Sequence, residues 1–394
     1  MTLPVLIAGA GPVGLVAAAA LQRAGVAVTV LEAEPSLPAE LRASTFHAPT
    51  LDMLDELGAA RPLIAQGLVA PALQYRNRDH SLIAGFDFGI IADITRHPFR
   101  LQAEQFKLTR ILAGLLRDRP GVALRFGAAV ENAEDLGERV RVTLADGTAV
   151  EGSWLIGADG ARSAVRRAAG IEFQGFTWPE RFLVLSTPFE FAEAIPGLAD
   201  VSYYADPEEW FFLLRVPGLW RAMFPVKPEV SEEEVASDAF AAARMARILP
   251  GRSGYEIRHR TLYRVHQRVA ERFRRGRILL AGDAAHINNP LGGMGLNGGV
   301  HDAMNLAEKL ARVVLDGEDP ALLDRYDRQR RGVTVEHVQS QTIANKQNLE
   351  ARSPEDQAAF RARMAAAAAD PAQAHALLTR MSMIASLRRA AEIA

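Results

Sequence analysis

Apolar and polar positions switch between two periods along this chain, and the switches locate its elements. Pro4–Ala8 is a continuous apolar run that predicts a buried strand. Gly14–Ala24 has helical spacing and is closed by Gly25, and Val26–Leu31 is a second strand ending at Glu32. The chain therefore opens on a βαβ unit. A polar, Pro-bearing stretch follows over 33–42, then a helix over Ala48–Leu57 closed by Gly58. Residues 68–100 carry short alternating runs such as Leu73–Arg76, which predict strands of a second sheet. Gln105–Leu116 predicts a helix. Val122–Phe126, Ala129–Asn132, Val140–Leu144 and Ala149–Gly152 predict a small antiparallel set that turns at Asp146-Gly147, and Trp154–Ile156 a short buried strand.

The pattern changes over 172–270. This region contains most of the aromatics and strand-like runs at Phe182–Leu185, Val201–Tyr204, Phe211–Val216 and Arg221–Val226, and Glu232–Ile248 predicts one amphipathic helix. Arg277–Ala281 returns as a buried strand, Ala303–Leu315 is a helix, and Ala- and Arg-rich helices run on to Ala394. His301 and Asp302 read as helix-start residues, and Arg272–Arg277 as a solvated turn. Met1 to Gln22 contains no charged side chain and is long enough to imitate a membrane span. Against that, no Lys or Arg precedes it, and Gly9, Gly11, Pro12 and Gly14 interrupt it. The expectation is a soluble, cytoplasmic chain without a membrane anchor.

Composition narrows the chemistry. The 394 residues suggest two or three domains. The sequence has no cysteine, which excludes disulfides, iron–sulfur clusters, thiolate zinc sites and cysteine nucleophiles. Net charge is −2, so no global attraction to nucleic acid is expected. Only 4 of the 45 basic residues are Lys; the rest are Arg, suited to fixed, bidentate anion contacts.

Three segments carry the candidate chemistry. In the strand–turn–helix Gly9-Ala10-Gly11-Pro12-Val13-Gly14, Gly9 permits the turn, Gly11 lets the backbone approach a pyrophosphate, and Gly14 lets helix and strand pack closely. The helix end behind Pro12 offers free N–H groups to phosphate. Glu32 follows 18 residues after Gly14, where a carboxylate accepts from ribose hydroxyls. The second segment, Gly282-Asp283-Ala284-Ala285-His286, leaves a buried strand and runs through Pro290 and Gly292-Gly293-Met294-Gly295-Leu296-Asn297 into a helix. Its Asp can hold a polyol, its glycines admit a flat ring, and the helix end stabilises an anion there. The third, Asp159-Gly160-Ala161-Arg162-Ser163, follows another strand and would by itself be only a turn. Together they suggest one cofactor site assembled from distant parts, with a substrate domain inserted between them.

These three segments resemble the fingerprints of the class A flavoprotein monooxygenases, the aromatic hydroxylases typified by para-hydroxybenzoate hydroxylase, over roughly residues 3–335. The resemblance implies an α/β (mixed α+β) fold. Its Rossmann-like FAD-binding domain would be discontinuous, over 1–70, 101–171 and 272–335. A β-sheet substrate domain would cover 71–100 and 172–271, and C-terminal helices 336–394, leaving no room for the thioredoxin-like domain of some relatives. It implies FAD held by Gly9, Gly11, Pro12, Gly14, Glu32, Arg42, Gln105, Arg110, Asp159, Gly160, Asp283, Gly293, Gly295, Leu296 and Asn297, with Gln102 a neighbouring alternative to Gln105. His47, Pro290, Tyr203 and Arg215 would carry the catalytic and substrate contacts, with Trp210, Phe212, Arg221 and His286 as further candidates. The implied reaction reduces FAD with NADH or NADPH, adds O2 at flavin C4a, and delivers one oxygen from the hydroperoxide to a phenolic or N-heteroaromatic ring. The enzyme would be a monomer or homodimer acting on a small aromatic substrate.

Other readings of the fold remain open at this point. A flavin-dependent halogenase would show WxWxIP, but Trp154, Trp178, Trp210 and Trp220 stand apart. A flavin-dependent reductase of isoprenoid chains would be expected to show a basic amphipathic anchor. A nicotinamide dehydrogenase would lack the Gly-Asp segment, and a non-catalytic scaffold would not keep the whole glycine set.

Overall fold

The computed structural model describes residues 3–39, 43–206, 208–350 and 353–394. Arg42 therefore lies outside the described residues. The opening βαβ unit is present, because every determinant is local. Val5–Ala8 and Val28–Leu31 pair in parallel, and Pro12–Ala24 packs between them in sequence, closed by Gly25 at φ +96°. Further strands extend this into a six-stranded sheet. Its order is Arg274–Arg275, Ile278–Leu280, Trp154–Gly157, Val5–Ala8, Val28–Leu31, Val122–Arg125, parallel except at the first pair. Val5–Ala8 sits where the strand order reverses, so the crevice beyond its carboxyl end is the expected ligand position in such a sheet.

A second, eight-stranded sheet begins with His286–Ile287, His259–Ala270, Phe173–Thr187 and Leu219–Val226. It continues with Phe211–Val216, Val201–Tyr204, Ala72–Arg76 and Leu82–Asp87. Phe173–Thr187 shifts register between Thr177 and Arg181, around Pro179, which has no N–H for the ladder. Alternation gives this sheet two apolar faces. Tyr203, Phe182 and Met223 pack with Phe360, Met364 and Leu378 of the C-terminal helices, whereas Tyr204, Phe211 and Trp220 pack with Phe240 and Met245. The two faces meet different helices, and only the first looks toward the cofactor crevice.

Several elements differ from the pattern-based expectation. Val122–Arg125 joins the parallel sheet beside Val28–Leu31, leaving Val130–Asp135, Val140–Leu144 and Ala149–Gly152 as the antiparallel set. Arg100–Gln102 is the central strand of a separate three-stranded sheet, pairing with Thr45–Phe46 on one side and Leu68–Ala70 on the other, and neither it nor Leu68–Ala70 joins the large sheet. Glu232–Ile248 is two helices, because the Ser237 hydroxyl accepts from Phe240 N and starts a second one. His301 and Asp302 are not helix-start residues. Their helix begins at Met294, and both are fully buried within it. Leu322–Val333, a π-helical turn at Thr334–Gln339 and Ser340–Glu350 run as one helix across the expected boundary at 335.

Candidate active site

A single cavity of about 1120 Å³ runs from the Gly9 loop, past Asp159 and Asp283, to the face of the large sheet that carries Tyr203. Its cofactor end is built from backbone. A Cβ on Gly9 would stand 2.5 Å from Ala158 O, and Gly9 has φ +100°, so glycine is required there. A Cβ on Gly14 would collide with Gly9 O. At Gly11 a Cβ would meet nothing within 4 Å, so this residue faces the open groove. Gly11 is the N-cap of the Pro12 helix and supplies no side-chain cap, leaving the first N–H groups available to an anion. The Glu32 carboxylate accepts from Ala10 N at 2.6 Å and Glu34 N at 3.0 Å, and those bonds aim it along the groove.

The other two segments close on the same space. Asp159 Oδ2 accepts from Val165 N at 3.1 Å, while Oδ1 is buried without a partner. Gly282 sits in left-handed geometry at φ +63°, with Val13 of the phosphate-loop helix 2.8 Å from where its Cβ would be. That turn presents Asp283 to the cavity with its side chain exposed. Behind the turn, Asp302 accepts from Gly282 N at 3.1 Å, from His286 Nε2 at 2.7 Å and from Arg330 Nε at 2.7 Å. Burial opposes ionisation of Asp302, but His286 and Arg330 outweigh it and hold the carboxyl well below the usual range. A dinucleotide fits this groove: it would receive phosphate on free helix N–H groups, ribose on Glu32, and a polar chain on Asp283. Asp159 also lines this groove.

The Gly292–Leu296 loop forms the floor. Gly293 has φ +70°, and Gly293, Gly295, Leu296 and Pro290 line the cavity. Asn297 does not; its amide accepts from His47 N at 2.8 Å and donates to Thr45 O at 2.9 Å and Gly293 O at 2.6 Å, so it pins the loop from below. His47 is also behind the loop rather than in the cavity, with Nε2 2.8 Å from Gly292 O. Burial and the neighbouring Arg100 charge push the His47 pKa well below 6.5, so the ring is neutral and donates Nε2–H. Its Nδ1 is buried without a partner.

Of the remaining expected residues, Pro12, Gly160, Gln105 and Tyr203 line the cavity. Gly14 is packed behind the loop. Arg110 is exposed and stacks at 4.9 Å over Phe106, which lines the cavity, without lining it itself. Gln102 is buried, accepting from Thr45 Oγ1 at 2.8 Å. Arg215 is on the wrong face: Leu214 pairs with Arg221, and Arg215 with Trp220 on the opposite side. There Arg215 binds Glu190 at 2.6 Å and Asp200 at 3.5 Å. Trp210 packs edge-on against Phe182 in the core. Phe212, Leu214 and Met223 form the apolar wall of the substrate end, and Arg221 reaches it with Nη1 2.9 Å from Ser44 Oγ.

The group that sequence reasoning missed is Arg100. It is 1% exposed and lines the cavity, with Nη1 3.4 Å from Tyr203 Oη. Its Nε and Nη2 are buried with no partner. The only local signal was an arginine between Phe99 and Leu101, an odd place for a charge in a strand. Among the described residues there is no cluster of His, Asp or Glu able to hold a metal, and no helix long and apolar enough to cross a membrane.

Comparison with known proteins agrees with this geometry. The sequence profile of the FAD binding domain matches residues 2–341. The chain is 36% identical over 349 residues to para-nitrophenol 4-monooxygenase of Pseudomonas sp. (strain WBC-3), covering 86% of each. It is 36% identical over 356 residues to 6-hydroxy-3-succinoylpyridine 3-monooxygenase of Pseudomonas putida (strain DSM 28022 / S16), covering 89% of this chain and 90% of that one. The crystal structure of p-nitrophenol 4-monooxygenase from Pseudomonas putida DLL-E4 superposes with a TM-score of 0.91 at 33% identity, over 99% of this chain and 98% of that one.

Proposed function

The chain belongs to the FAD binding domain family and is an FAD-dependent aromatic monooxygenase, and on that premise we propose that it uses NADH or NADPH to hydroxylate a small phenol bound as its anion. The observation that carries the substrate reading is Arg100, a buried cation at the cavity wall with two donors unpartnered. A guanidinium in that state is built to receive an anion, because burying an unpaired charge is costly.

Bound FAD supplies the two-electron redox chemistry and the activation of dioxygen, which no side chain here can supply. The chain's own residues do the rest. Gly11, Pro12, Glu32, Gln105, Asp159 and Asp283 hold the dinucleotide along the groove. Gly293, Gly295 and Leu296 would give its ring a backbone floor, and Asn297 and His47 fix that loop from behind. Arg100 with Tyr203 holds the phenol oxygen as an oxyanion, which makes the ring a better electron donor at the carbon to be oxygenated. Phe212, Leu214 and Met223 exclude water from the reacting atoms. Oxygen transfer leaves one atom on the ring and one in water. This reading places the enzyme in the cytoplasm as a monomer or homodimer, with no nucleic-acid partner.

The test is a substrate screen that follows stimulated NAD(P)H oxidation and identifies products by mass. Phenols should stimulate oxidation and be hydroxylated, and their O-methyl ethers should do neither. Equal turnover of phenol and methyl ether would remove the anion from the reading.

A further inference from the structure

A second, smaller cavity of about 260 Å³ lies behind the glycine loop, between the Met294 helix, the long helix over 322–350 and the segment around Met383. Its floor is a hydrophobic cluster of its own, Met294, Val338 and Met383, which are 2%, 1% and 2% exposed. Met294 lines both this cavity and the main one. Its Cε lies 3.5 Å from where a Cβ on Gly292 would be, so the thioether abuts the loop that floors the cofactor crevice.

Two backbone irregularities fall on the same small space. The long helix opens into its π-helical turn at Thr334–Gln339, which contributes Glu336, His337 and Val338 to the wall. Such turns are rare and gather at functional sites. Met383, at φ +67°, is the left-handed residue at which the chain leaves Pro371–Met381 and enters Ile384–Glu392.

We propose that this second cavity is a passage for dioxygen, with the thioethers of Met294 and Met383 as its inner gate to the glycine loop. The proposal rests on the monooxygenase reading given above. With dinucleotide and phenol occupying the main cavity, the remaining reactant is a small apolar gas. Dioxygen partitions into apolar space, and an apolar cavity of about 150 Å³ is already large enough to hold xenon. Methionine is unbranched and flexible, so its side chain can swing aside without moving backbone. Glu336, Ser340 and Arg380 form the exposed outer mouth. The buried methionine floor passes a diatomic gas and retains an aromatic ring.

The experiment pairs xenon with a plug. Crystals of the FAD-loaded wild type under xenon pressure should show an atom against Met294 and Met383. Ala344→Phe, on the outer wall and away from the main cavity, should abolish that atom. The reduced, phenol-bound variant should then react with dioxygen severalfold more slowly, with FAD affinity and anaerobic reduction by NAD(P)H unchanged. Ser340→Phe, at an exposed position of the same wall, replaces it if Ala344→Phe does not fold. No xenon in the wild type overturns the proposal, and so does wild-type reoxidation in a variant that has lost the xenon. Failure of the underlying function would show itself differently, as no flavin reduction by either nicotinamide nucleotide.

Discussion

Replacing Arg100 by Met should weaken the enzyme's grip on its substrate and strengthen its fold at once. The side chain is 1% exposed, its one bond to Tyr203 is long at 3.4 Å, and two of its nitrogens have no partner. A buried donor left unsatisfied costs about 1–3 kcal/mol. Met fills a similar volume against Phe88, which lies 5.4 Å from the guanidinium carbon, and needs no partner. The ligand-free variant should therefore be more stable by about 1–3 kcal/mol, seen as a rise of a few degrees in Tm. Substrate binding should move the other way. Removing one member of a desolvated, hydrogen-bonded charge pair costs about 2–5 kcal/mol, or roughly 30-fold to a few thousandfold in Kd. The assays are thermal melting of substrate-free protein and titration of phenol against the flavin spectrum. The methyl ether serves as a control, which the variant should bind as well as the wild type does. Unchanged phenol affinity, or a fall in substrate-free Tm, would refute the reasoning, because Arg100 would then be a structural cation.

Further outcomes follow from the same geometry. Gly295→Val should slow reduction by NAD(P)H in anaerobic stopped flow more than it weakens FAD binding. Its Cβ meets only Asn288 Oδ1, at 3.6 Å, so the fold tolerates it while the branched side chain crowds the cavity floor. Asp302→Ala should lower Tm by removing about 3–5 kcal/mol, since Arg330 would be left as a buried unpaired charge. Asp283→Ala should cost more FAD affinity than any change in the melting of FAD-free protein accounts for, and an affinity loss fully matched by lost stability would contradict this. Stability should fall as pH drops below about 6.5, where unfolded imidazoles take up protons that the folded ones refuse. Burial and Arg330 push His301 down to about 3, and burial and Arg100 push His47 down, so each contributes about 1.4 kcal/mol per pH unit in that window. His47→Gln should flatten the measured slope by one such contribution.

Local information explains which parts of this structure were readable from sequence. The Gly9–Gly14 turn, the Pro12 helix and Gln105–Leu116 are fixed by neighbours in the chain, and pattern alone located them. Val122–Arg125 was misplaced because its partner strand is nearly a hundred residues away, and alternation looks alike in either sheet. Arg215 failed on parity: Phe212 and Leu214 face the cavity, so a residue one step further along must face away. The helix expected to open near Gly295 begins at Met294, and its glycines do not interrupt it. They serve packing, since a Cβ on Gly299 would stand 2.5 Å from Val13 Cγ2 and hold two helices apart. Arg100 was invisible because what makes it informative, burial against Phe88 and Tyr203, comes from segments that meet only in the fold. Arg330, the partner of Asp302, was missed for the same reason.

The most direct test of the whole account is turnover under oxygen-18 gas. Purified protein loaded with FAD is given NAD(P)H and a phenol, and the product is weighed by mass spectrometry. One oxygen-18 atom in the newly hydroxylated ring, with one nicotinamide nucleotide oxidised for each product formed, is the predicted result. Product oxygen drawn from water, or nucleotide oxidation with no labelled product from any phenol tried, would contradict it.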